Sequence, residues 1–195
     1  MELSLSRLFS EAIYSLQHPR EGIRRMMDME MPSQARWLAL GLMAISAAIL
    51  THISLALIPV SDRDILVEMM LSPIRTAILQ VVALVAAVYM IFWVGRSRGG
   101  RGSLDDTVVA MAWLQFIMLC IQIMQLLVQV LLPPLAAPLN LLGFAIFLWL
   151  LTNFVAEVHG FRSLFLVFGA LMLGLIVLAI VLAIFLAMFS GMPMP

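Results

Sequence analysis

Cysteine is nearly absent from this 195-residue chain. The single Cys120 excludes an internal disulfide framework, a two-cysteine redox pair and a cysteine-built zinc site. Charge is scarce too: 11% of the residues are charged, against about 25% in a soluble domain. Lysine is missing altogether, so the 11 bases are all Arg and they balance 11 acids. A net charge of zero argues against nucleic-acid binding through a basic field. The three histidines, His18, His52 and His159, lie on different segments without His-x₃-His or His-Glu-x-x-His spacing, so neither a metal nor any other cofactor is expected. Walker, Rossmann and haem-attachment motifs are missing as well. What fills the chain instead is apolar: 64% hydrophobic residues and a mean hydropathy of +1.10, more than one small core can hide. This composition is that of an integral membrane protein.

Crossing about 30 Å of hydrocarbon takes about 20 helical residues. Five stretches qualify: Trp37–Ile58, Ile74–Val94, Thr107–Leu132, Leu139–Ala156 and Leu164–Phe189. Strict alternation of apolar and polar residues, the mark of a membrane barrel, occurs nowhere. Breakers separate the runs: Pro59 and Pro73, then Gly95–Gly102, then Pro133, Pro134 and Pro138, then Gly160. The expected fold is all-α, a polytopic bundle of five transmembrane helices (residues 37–195) behind a short amphipathic segment (residues 1–36).

Arginine placement orients the bundle. Arg7, Arg20, Arg24, Arg25, Arg36, Arg96, Arg98, Arg101 and Arg162 fall on one side, and Arg63 and Arg75 on the other, beside Asp62, Asp64 and Glu68. The positive-inside rule then places the N-terminus in the cytoplasm and the C-terminus outside, in the inner (cytoplasmic) membrane. Trp37 and Trp93 share the inner interface, where indoles prefer to lie.

Within the leading segment, Leu5, Leu8, Phe9, Ala12, Ile13 and Leu16 follow helical spacing, with Arg7, Ser10, Glu11 and Gln17 between them. The pattern predicts an interfacial arm in which Leu5, Leu8, Phe9, Ile13 and Leu16 bury together in headgroups or in a groove of the bundle. Pro19 suits the first turn of a second short helix running through Gly22–Met31.

Polar groups inside spans are costly and face the bundle. His52, Gln80 and Gln125 each lie roughly 9–10 Å below the outer boundary, with Gln122 a turn deeper. They form a candidate intramembrane layer, read as interhelical hydrogen bonding that fixes packing. The alternative is a small transporter or channel, because histidine changes charge near neutrality. Glu157, His159 and Arg162 form a candidate corner at the inner end of the fourth span. Gly95-Arg96-Ser97-Arg98-Gly99 matches Gly-x-Ser-x-Gly, but that elbow needs a strand–turn–helix on a parallel sheet. Ala44, Ala48, His52 and Ala56, then Ala179, Ala183 and Ala187, and the pair Ala170 and Gly174, mark faces for close helix contact.

Three segments carry a family likeness: His18-Pro-Arg-Glu-Gly22, the run GGRGSLDDTVVAMAWLQ from Gly99 to Gln115, and VAEVHGFRSLF from Val155 to Phe165. With five spans and an amphipathic lead, the chain resembles the prokaryotic form of the Yip-one (Ypt-interacting protein) family. The resemblance implies a small helical membrane protein without established catalysis; the partners expected from the composition are the lipid bilayer and another membrane protein or a second copy. Eukaryotic members act in vesicle traffic and bind prenylated Rab-type GTPases. This sequence lacks their Asp-Leu-Tyr-Gly-Pro and Gly-Tyr-Gly segments, so Rab binding is not carried over.

Overall fold

The structure, a computed structural model, describes residues 5–57 and 72–190. The connection bearing Asp62, Arg63, Asp64 and Glu68, the end of the first stretch at Ile58, and the C-terminus at Pro195 lie outside the described residues, as do the side chains of Leu5, Ala187 and Phe189. Every regular element among the described residues is helical: α1 Leu5–Gln17, α2 Pro19–Met27, α3 Ser33–Ala56, α4 Pro73–Ser97, α5 Leu104–Leu131, α6 Ala136–His159 and α7 Leu164–Ser190. The five long ones, of 24, 25, 28, 24 and 27 residues, rise about 36–42 Å and are apolar enough to span a bilayer. The protein is an all-α polytopic membrane bundle.

Local chemistry sets the boundaries. Ser103 opens α5 with a capping box: its Oγ accepts from the Asp106 amide at 3.0 Å, and its own amide donates to Asp106 Oδ2 at 3.1 Å. Pro133 and Pro134 sit in a 3₁₀ turn, Pro133–Leu135, that joins α5 to α6. Pro138 is absorbed in the first turn of α6, where its missing N–H costs no helical hydrogen bond, so α6 starts three residues earlier than the apolar run. At the other end of α6, Gly160 adopts φ 71°, a left-handed conformation suited to glycine, and the Phe161 amide closes back on the Ala156 carbonyl at 2.8 Å. The second short helix begins at Pro19 as expected but ends at Met27, short of the expected Met31, with Asp28 as its C-cap.

Helix α5 is the axis of the bundle, packed by α3, α4 and α6, while α7 leans chiefly on α4 and α6. The first turns of α5, Thr107 through Leu114, are buried all round. The facing stretch of α6, Leu150 to Ala156, is buried without a gap. Phe154, Leu150, Leu114, Ile117 and Leu40 are among the largest fully enclosed side chains. This core lies toward the arginine-rich end. There α1 and α2 fold over α5 and α6 and complete the packing.

Candidate functional site

The helical hairpin of α1 and α2 is fastened to the arginine-rich end by small residues and hydrogen bonds. A Cβ added at Gly22 would stand 2.8 Å from the Ser15 backbone, so only glycine lets the two helices meet here. Ser15, fully buried, donates to the Glu11 carbonyl at 2.8 Å and accepts from Trp113 Nε1 of α5 at 3.0 Å. Trp113 stacks on Phe116 with centroids 5.2 Å apart, and Phe116 in turn meets Phe9 at 6.1 Å. Trp113 stands nine residues inside α5, roughly 13 Å from its start, so α1 reaches well below the end of the bundle.

The hairpin meets the bundle along one edge of the apolar stripe. Ala12 and Ser15 are the buried pair, and Leu8 and Leu16 are half-buried beside them. Phe9 and Ile13 remain 50% and 59% exposed. The reason is steric: small residues permit the backbone approach that brings Ser15 to Trp113, and the bulky ones flank that contact. Helical periodicity identifies an apolar stripe without saying which edge of it meets protein.

Polar ties complete the fastening. Arg24 Nε donates to Glu157 Oε1 at 2.9 Å, and Arg20 Nη2 donates to the Phe161 carbonyl at 3.1 Å, so α2 holds the end of α6. Between the hairpin helices, Tyr14 Oη donates to Glu21, Arg25 lies 3.9 Å over the Tyr14 ring, and Arg25 pairs with Glu11 at 3.5 Å. The Tyr14 hydrogen bond holds the Glu21 carboxyl below its usual range and pushes the Tyr14 phenol above its own. Ser33 and Arg36 tie α3 to Asp105 and Asp106 at the start of α5, at 2.9 and 3.9 Å.

The candidate corner does not gather into one cluster. Glu157 faces Arg24, Arg162 is exposed in the turn before α7, and His159 is buried inward. The His159 ring sits in a cradle of glycines. A Cβ at Gly95 would fall 2.3 Å from the ring, and one at Gly100 or Gly102 within 2.7 or 3.0 Å of Nδ1. Phe161 stacks at 5.6 Å. The Ile91 main chain lies within reach, yet neither ring nitrogen completes a hydrogen bond among the described residues. The glycine-rich loop is thus shaped around an imidazole, a relation between residues about 60 positions apart that no local pattern discloses. Ser97, of the Gly-x-Ser-x-Gly match, donates to the Val94 carbonyl in the last turn of a helix, the reverse of a strand-to-helix elbow.

The candidate polar layer is divided. Thr51, rather than its neighbour His52, is the junction: its Oγ1 accepts from Gln122 at 3.0 Å and from Gln80 at 3.4 Å, joining α3, α5 and α4. The His52 Nδ1 is buried without a partner among the described residues. Gln125 turns away toward α6, where its Nε2 donates to the Leu139 carbonyl at 3.2 Å over the surface of Gly143. Gln129 and Ser54 exchange two bonds, at 2.7 and 3.3 Å. Sequence depth put Gln80 level with Gln125 and Gln122 a turn deeper; it is Gln122 that shares Thr51 with Gln80, and a threonine inside an apolar run gave no sign of joining them. No group of three or more His, Cys, Asp and Glu side chains among the described residues has metal-binding geometry.

A family model described as the Yip1 domain matches residues 13–191, nearly the whole chain. No curated protein and no solved structure matches it.

Proposed function

The chain belongs to the Yip1 domain family, and on that premise we propose that it is a non-enzymatic scaffold or interaction protein of the cytoplasmic membrane, with its N-terminus inside and its C-terminus outside. One observation carries the reading: the α1–α2 hairpin is held as a plate across the arginine-rich end by the Ser15–Trp113 and Arg24–Glu157 contacts. A plate fixed in place presents its outer residues, Arg25 and Asp28 among them, at a defined orientation without an ordering cost on binding. The transporter alternative rests on the His52–Gln layer. In that layer the Gln80 and Gln122 amides are engaged in helix-joining hydrogen bonds, which favours packing over permeation.

A photo-crosslinker at position 28, in native membranes, tests the scaffold reading. The expected result is a discrete protein adduct that disappears when Gly22→Leu forces the hairpin apart. The reading is overturned by ion or solute flux through reconstituted protein that His52→Ala abolishes, with no adduct at position 28. Orientation is tested separately by a reporter after Pro195, expected to read as external.

A further inference from the structure

A cleft of about 630 Å³ opens between α4, α6 and α7 at the arginine-rich end. Its walls are apolar through most of their depth: Met90, Ile91 and Val94 on α4, Val155 on α6, and Leu166 and Leu173 on α7. Small residues leave the room. Gly169 and Ala170 leave the wall open, a Cβ added at Gly169 meeting nothing within 4 Å, and Gly174 makes room for the Met90 side chain, which would lie 3.0 Å from a Cβ there. At the mouth the chemistry changes: Arg98, which caps the end of α4, and Arg162, in the turn before α7, are both exposed. Neither forms an ion pair among the described residues, although Arg24, Arg25 and Arg36 all do. The start of α7, beside Ser163, adds its positive dipole end to the same mouth.

Depth fits one class of occupant. From Arg98 to Met90 the helix rises about 12 Å, and from Ser163 to Gly174 about 16 Å, which is half of the roughly 30 Å hydrocarbon thickness. Trp93, 67% exposed on α4 and about 8 Å from Arg98 along the helix, is of the kind found at the membrane interface, so Arg98 stands at headgroup level. An apolar channel one leaflet deep, with two unpaired guanidiniums at its headgroup end, is complementary to an amphiphile bearing a phosphate and a chain. We propose that this cleft binds one anionic phospholipid of the surrounding leaflet, its phosphate between Arg98 and Arg162 and one acyl chain along Met90, Ala170 and Gly174. Basic pockets between membrane helices take anionic headgroups by this combination of charge and apolar depth.

The test uses the full-length protein in detergent, loaded with phosphatidylglycerol or phosphatidylcholine of identical acyl chains and read by native mass spectrometry. Phosphatidylglycerol should be retained with about tenfold higher apparent affinity, and Arg98→Gln with Arg162→Gln should erase that preference. Ala170→Leu, which fills the cleft, should reduce retention of both lipids to the level of non-specific adducts. Equal retention of the two lipids by the parent overturns the proposal, as does a preference that survives the double substitution. Retention unchanged by Ala170→Leu places the lipid elsewhere on the surface. Displacement of the lipid by glycerol phosphate alone assigns the mouth to a free phosphate and overturns it too. The helical content and melting temperature of each variant should match the parent, because the two arginines are exposed and Ala170 faces open space.

Discussion

The two halves of the bundle are built on different principles. Toward the arginine-rich end, Thr107–Leu114 and Leu150–Ala156 are enclosed on every side, and the hairpin and the glycine cradle fill the remaining space. Toward the opposite end the same two helices expose Ile123, Met124, Leu127, Leu141, Leu142 and Phe144, and what joins the helices is a set of side-chain hydrogen bonds around Thr51, Ser54 and Leu139. One half is held by shape and the other by polar contacts in an apolar medium. In lipid this is a physical alternative, because exposed Leu and Ile cost nothing there and helix association depends on close packing or on hydrogen bonds. The densely packed half should therefore respond steeply to changes of volume, and the open half mildly to changes of polarity.

The largest effect is expected at the cradle. Gly95→Ala drives a methyl into the His159 ring, which Gly100, Gly102 and Phe161 prevent from moving aside. Overpacking of this kind costs about 1–3 kcal/mol, and the confined ring puts this site at the upper end. Equilibrium unfolding in mixed micelles measures it. His159→Ala in the same chain should recover most of the loss, and a failure to recover would mean that the glycines serve the backbone turn rather than the imidazole. Next comes Ser15→Ala, which leaves the buried Trp113 N–H without its acceptor at a cost of about 1–3 kcal/mol. Its readout is faster proteolysis of residues 5–27 with the five spans intact. At the open end, Thr51→Val removes the shared acceptor of Gln80 and Gln122, worth about 0.6–2 kcal/mol. If Thr51→Val were to cost more than Gly95→Ala, the contrast between the halves would be wrong.

The same contrast explains what could be read from the residues. Spans were legible because hydrocarbon thickness imposes a length and a composition on every crossing, and proline and glycine mark the ends. The Pro19 helix start followed from backbone chemistry that acts within a few positions. Contacts between distant segments left no such mark. His159 and Gly95 are one contact, but the histidine reads as one residue of a polar corner and the glycine as a loop former. The arm showed its amphipathic spacing, yet its docking edge was set by the small residues Ala12 and Ser15 that hydrophobicity alone ranks low. Thr51 escaped notice for a related reason: a hydroxyl among leucines and alanines satisfies its own helix in most settings, and only the glutamines of two other helices make it a junction.

The smallest effect expected is a pH response of the hairpin itself, apart from its docking. Tyr14 donates to Glu21 across the turn between α1 and α2, and that bond is the first cause of both shifts. Glu21 titrates below its ordinary 4.5, so its contribution is present above that value and is lost as pH falls through the lowered one. Tyr14 titrates above 10.0, so its contribution is present below that value and is lost as pH rises through the raised one. Hairpin order should therefore be level through the neutral range and decline at both extremes. Glu21 is exposed and Tyr14 only half-buried, and water and salt screen the pair, so the decline is small. A spin label at Ser10→Cys, in a Cys120→Ser background, reads it as increased mobility at each extreme. Tyr14→Phe removes the donor and should flatten both limbs together, while Arg25→Gln, which takes away the cation over the ring, should leave both in place. An acid limb that persists in Tyr14→Phe would mean that the order of the hairpin does not rest on the Tyr14–Glu21 bond, and the weak point would have to be sought in its seat on the bundle.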